Sequence, residues 1–106
     1  MNGRKAIFIT GGASGIGKAT ALHFAREGWF VGLADVNQAG LAETIALLPA
    51  GQGSTHVLDV RDRAAWDGAL ASFVEKAGGR LDVLFNNAGV ARGGNFAEIS
   101  HEDHEL

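Results

Sequence analysis

The sequence contains no cysteine, no tyrosine and a single proline in 106 residues. Without cysteine there can be no disulfides and no thiolate metal sites, and the composition suits a reducing compartment, so the cytoplasm is the expected location. Basic residues are few: nine against twelve acids, scattered without a run, for a net charge of −3. That balance leaves no electrostatic footprint for nucleic acid or an anionic membrane. Long hydrophobic runs are missing too, since the first apolar stretch ends at Thr10, too early for a signal segment or a membrane span. Lacking tyrosine, these residues cannot perform acid–base chemistry that needs a phenol.

What is present is glycine, sixteen of them, placed between periodic apolar segments instead of forming a tract. Residues 5–10 read as a strand buried on both faces, as a parallel sheet requires. Ile16, Ala19, Ala21, Leu22, Phe24 and Ala25 follow helical spacing, and Gly28 is placed to end that helix. Residues 29–34 form a second strand stopping at Asp35. A short helix follows from an Asn37 cap and is stopped by Pro49.

Residues 50–54 read as a loop and 55–58 as a third strand, ending at Asp59. Asp62 caps a helix whose stripe includes Ala65, Trp66, Ala69, Leu70, Phe73, Val74 and Ala77, closed by Gly78 and Gly79. Residues 81–85 are a fourth strand, residues 92–96 a loop, and Ser100 has the form of a cap for a further helix. Strands alternating with helices at this spacing predict βαβ units and right-handed crossovers. The first two helices then cover one sheet face and the third the other, and the fourth strand is left without an outer neighbour.

The stretch 7–17, Ile-Phe-Ile-Thr-Gly-Gly-Ala-Ser-Gly-Ile-Gly, carries the chemistry. Its Gly11, Gly15 and Gly17 lie where a strand hands over to a helix, so backbone can approach a phosphate and first-turn N–H groups can face it. An acid, Asp35, ends the next strand 18 positions after Gly17, which turns a generic anion cradle into a candidate dinucleotide site.

The spacing Gly-x-x-x-Gly-x-Gly after Thr10 resembles the short-chain dehydrogenase/reductase family, as do Asp59-Val60 after the third strand and Asn86-Asn87-Ala88-Gly89 after the fourth. The resemblance implies an α/β fold: a Rossmann-type parallel sheet of strand order 3-2-1-4 with helices on both faces. The 106 residues would be the N-terminal part of a single NAD-binding domain, truncated before the catalytic half.

Position by position, the resemblance implies that Gly11, Gly15, Ile16 and Gly17 line the pyrophosphate and adjoining ribose, with the Ser14 hydroxyl nearby. Asp59 and Val60 would meet the adenine edge. Asn87, Ala88 and Gly89 would flank the nicotinamide-side ribose, while Thr10 braces the turn internally. A carboxylate at Asp35 accepts from ribose hydroxyls and repels a 2′-phosphate; Ser14, Val36 and Asn37 around it are uncharged, so NAD(H) is expected over NADP(H).

The family's hydride transfer relies on a Tyr-x-x-x-Lys pair, which a chain without tyrosine cannot contain; no catalytic residue is assigned. The expected function is therefore the NAD(H)-binding portion of an oxidoreductase acting on an alcohol or carbonyl substrate, forming a dimer or tetramer when complete. The alternative is a non-catalytic NAD(H)-binding sensor. No metal is expected, because His23, His56, His101 and His104 have no further ligand type at suitable spacing. Asp62, Asp67 and Asp82 are read as caps or solvated faces.

Overall fold

A computed structural model of the chain describes residues 4–87 and the backbone of residues 97–100. Eight elements follow in order: β1 (Ala6–Thr10), α1 (Gly15–Arg26), β2 (Phe30–Asp35), α2 (Gln38–Ala46), β3 (Gly53–Val57), α3 (Arg63–Lys76), β4 (Val83–Asn86) and β5 (Ala97–Ser100). The strands make one parallel sheet of order β3-β2-β1-β4-β5. This is the anticipated 3-2-1-4 arrangement of a Rossmann-type fold with one strand more.

Two expectations are corrected. β3 begins at Gly53, two residues earlier than its composition suggests, because Gly53 and Ser54 pair with Val31 and Gly32. A Cβ on Gly53 would lie 2.8 Å from both the Val31 carbonyl and Ile45, so a residue that looks like loop is what the approach of α2 requires. The strand Ala97–Ser100 follows β4 as β5, with Ser100 in register with Asn86, and β4 therefore has an outer neighbour. The expected loop at 92–96 and the helix after Ser100 lie outside the described residues.

β1 is buried along its whole length, and its side chains alternate between two cores. Ala6 and Phe8 join Trp66 and Phe73 of α3 and Ala77 at its end. Ile7 and Ile9 join Ala21, Ala25, Leu41 and Leu48 beneath α1 and α2. The helices thus divide between the faces as right-handed crossovers require. Burying each large side chain contributes about 2–3 kcal/mol, which is what holds the central strand in place. At Gly32, in register with Phe8, a Cβ would come within 2.5 Å of the Phe73 ring; its absence lets Phe8 and Phe73 meet at 5.2 Å between centroids.

Helix ends are set locally. Ser14, Asn37 and Asp62 cap α1, α2 and α3 by accepting from Gly17, Gly40 and Ala65 N–H groups. α1 closes with Gly28 N–H donating to the Ala25 carbonyl and Trp29 N–H to that of Phe24, while the Trp29 and Phe24 rings pack edge-on at 4.9 Å. α3 closes the same way through Gly78 and Gly79. Asp82 is more than a solvated acid. It accepts the Ala6 N–H at 2.8 Å and both arms of Arg80, fastening the entry of β4 to that of β1. The Arg80 guanidinium holds its carboxyl below the usual range.

Candidate functional site

The sheet order reverses between β1 and β4, and the carboxyl ends of strands at such a point form the binding crevice of open α/β sheets. The turn leaving β1 is fixed by main chain. Gly11 has φ 72°, a left-handed conformation that favours glycine; Gly12 N–H donates to the Ala34 carbonyl at 3.0 Å and Ser14 N–H to that of Gly11 at 3.1 Å. A Cβ on Gly17 would sit 2.1 Å from the Gly11 carbonyl oxygen, so Gly17 permits α1 to pack directly onto the turn. Gly15 differs: a Cβ there would meet nothing within 4 Å. Gly15 and Ile16 stand at the exposed first turn of α1, ahead of its first main-chain bond from Lys18 N–H to Ser14, where N–H groups and the helix dipole favour an anion.

Side chains brace this turn from three directions. The fully buried Thr10 hydroxyl donates to Asn86 Oδ1 at 3.1 Å, joining β1 to β4. Asn87 Nδ2 donates to the Ser14 hydroxyl at 3.0 Å, and Ser14 Oγ in turn donates to the Gly11 carbonyl at 2.8 Å. From α2, the buried Thr44 hydroxyl reaches the Gly12 carbonyl at 3.1 Å. Asp35 completes the bracing: its Oδ2 accepts from Ala13 N–H at 3.1 Å and its Oδ1 from Asn37 N–H at 3.0 Å. Each oxygen keeps a lone pair for a further donor.

Beside the turn lies a cavity of about 300 Å³ lined by Gly11, Asp35, Val36, Leu58, Asp59, Val60 and Arg61. Its far wall is the β3–α3 turn. There the Asp59 carboxylate is gripped by its neighbour two residues on, Arg61 Nε at 3.0 Å and Nη2 at 2.9 Å, and also accepts the Arg61 N–H. The Arg61 guanidinium lowers the Asp59 carboxyl to about 2, and Asp59 raises the Arg61 pKa in return. The Val60 carbonyl accepts the Trp66 indole N–H at 2.6 Å, so a core tryptophan also steadies this wall.

Five of the expected residues, Gly11, Asp35, Val36, Asp59 and Val60, therefore line one cavity. Ser14, Gly15, Ile16 and Asn87 surround the adjoining turn, and Gly17 is enclosed by packing. Ala88 and Gly89 lie outside the described residues, as do His101 and His104. Arg61 lines the same cavity and brings a cation into it, which the uncharged Ser14, Val36 and Asn37 do not suggest. Its signal was available, an Asp-x-Arg spacing, but only the turn conformation closes that pair. Thr44 and Trp66 were legible only as positions on helical faces. Among the described residues no three His, Asp or Glu side chains come together in a way that could hold a metal ion, and no helix is long and apolar enough to cross a membrane.

Residues 5–105 match the family model for short chain dehydrogenase. A 2,5-dichloro-2,5-cyclohexadiene-1,4-diol dehydrogenase of Sphingobium indicum is 43% identical over 100 residues, covering 92% of this chain and 40% of that protein. Among solved structures, a 3-ketoacyl-(acyl-carrier-protein) reductase from Brucella melitensis complexed with NADH is 30% identical with a TM-score of 0.75, over 86% of this chain and 37% of that one. An NAD+-bound xylitol dehydrogenase is 35% identical with a TM-score of 0.73, over 81% of this chain and 34% of that one. The chain thus spans about two-fifths of the length of the curated relative.

Proposed function

The chain belongs to the short-chain dehydrogenase family, and on that premise we propose that these residues are the NAD(H)-holding portion of an oxidoreductase acting on an alcohol or carbonyl substrate. The observation that carries the reading is the union, in one crevice, of an open helix start at Gly15 and Ile16 with a cavity bounded by Asp35 on one side and Asp59-Val60 on the other. The empty space where a Gly15 side chain would stand suits a pyrophosphate, and the first-turn N–H groups of α1 would donate to it. The cavity beyond would receive the adenosine, with Asp35 accepting from the ribose hydroxyls and Val60 and Asp59 at the adenine edge.

When bound, the nicotinamide supplies the hydride acceptor or donor. The chain's own residues hold and orient: Asn87, fixed against Ser14, would bound the nicotinamide side of the crevice, together with Ala88 and Gly89. The proton that accompanies hydride transfer needs a positioned acid or base, and the family's tyrosine for that task would lie outside these 106 residues. Relatives named for diol, xylitol and ketoacyl chemistry support an alcohol–carbonyl couple.

Preference for NAD(H) over NADP(H) follows from Asp35, whose carboxylate is oriented by two backbone donors and would face a 2′-phosphate with like charge. Titration calorimetry with both dinucleotides tests this. NAD+ should bind more tightly, and Asp35→Ala should erase about tenfold of that preference, the worth of one charge contact. Tighter binding of NADP+ by the native chain would overturn it.

A further inference from the structure

Among the described residues that line the cavity, Arg61 is the one cation, and it stands with two carboxylates, Asp35 and Asp59. Its guanidinium is not free to serve whatever enters. Nε and Nη2 both point at Asp59, and the Asp59 carboxylate is itself set in place by the Arg61 N–H at 3.0 Å, so a three-residue turn holds the pair closed. Asp62 N–H donating to the Asp59 carbonyl at 2.9 Å fixes that turn at the mouth of α3. The Arg61 side chain is 82% exposed and that of Asp59 41%, so the pair is hydrated and nothing buries it irreversibly. A guanidinium suits phosphate as well as carboxylate.

We propose that Asp59 acts as an internal counter-anion that occupies Arg61 and so withholds it from a phosphate on the adenosine ribose, making the Asp59–Arg61 pair a determinant of cofactor choice alongside Asp35. This deepens the preceding reading and rests on the cavity being an adenosine site. Asp35 repels a 2′-phosphate directly; Asp59 removes the cation that could offset that repulsion. With Asp59 neutral, Arg61 regains its full fork and the charge to reach across the cavity. The adenine is common to both dinucleotides, so any contact Asp59 makes with it cancels when their affinities are compared as a ratio.

The experiment is calorimetric titration of NAD+ and NADP+ into the native chain, Asp59→Asn, Arg61→Gln and the double variant. Asp59→Asn should shift the affinity ratio toward NADP+ by tenfold or more, to an order of magnitude. Adding Arg61→Gln should return the ratio to near its native value, since the double variant restores the native charge of the cavity without a cation. Arg61→Gln alone should move the ratio away from NADP+, which tests the idea even if Asp59→Asn folds poorly. An unchanged ratio in Asp59→Asn, or a gain that persists in the double variant, would overturn the inference while the NAD(H) reading of the site still stands. If the native chain binds neither dinucleotide, the adenosine reading falls and this inference falls with it.

Discussion

On the β1 side the cavity is bounded by the main chain of a glycine turn braced by buried hydrogen bonds, whereas on the β3 side it ends on an exposed ion pair. The first wall is locked by the Gly11 backbone conformation, by α1 lying against the Gly11 carbonyl at Gly17, and by the buried hydroxyls of Thr10 and Thr44. The second is a short turn closed by an exposed ion pair and one indole N–H. Shape made from backbone cannot be tuned without cost to the fold, while charge made from exposed side chains can be changed almost freely. On the proposed reading, the pyrophosphate that any dinucleotide shares would meet the rigid wall, and the ribose that distinguishes one dinucleotide from another would lie between Asp35 and the adjustable one.

The contrast breaks most severely at Gly17. Gly17→Ala places a Cβ 2.1 Å from the Gly11 carbonyl oxygen, a backbone atom that cannot turn aside, so α1 must lift from the turn. Urea unfolding should record a loss of about 3 kcal/mol, the upper end of overpacking costs, and the variant should lose NAD+ binding. A native midpoint would show that the rigid wall is not rigid.

Acid should sharpen the contrast next, because the adjustable wall hangs from β3, and β3 carries His56. This imidazole is buried between Phe8 and Phe73, bonded to the Ser54 hydroxyl at 2.8 Å, and pushed down to about 4, chiefly by burial and secondarily by Lys76. The unfolded chain, with an ordinary histidine near 6.5, binds the extra proton first. Stability is then complete above about pH 6.5 and is lost as pH falls from there toward 4, by as much as about 3 kcal/mol. Chemical denaturation across that range should show the slope, and His56→Gln should flatten it.

The smallest effect is expected at Arg61. Exposed ion pairs contribute little to folding, so Arg61→Ala should leave the Tm within error of native. The same change should let the Asp59 carboxyl rise from about 2 toward its ordinary 3.8, read by its side-chain NMR shift against pH. A large drop in Tm would mean that the second wall is structural after all.

The rigid wall was almost wholly legible in the sequence. Glycine spacing, an apolar strand before it and an acid at the end of the next strand are local signals, and the caps Asn37 and Asp62 are readable because a cap accepts from an N–H only three residues on. The adjustable wall was less so. Arg61 closes on Asp59 only through the conformation of the turn between them. The start of β3 depends on Gly53 meeting Val31 across 22 residues, and β5 depends on pairing with β4. The sequence marks Asp35 as a ligand for ribose, and its hold on Ala13 N–H shows that it also joins the two strand ends into one piece.

The most direct test of the two-walled cavity is amide NMR of the chain during titration with NAD+. The account predicts saturable shifts at Gly15 and Ile16 on one wall and at Asp35, Val60 and Arg61 on the other, all following one binding curve. Saturable shifts confined to other surfaces, or none at these amides, would contradict it.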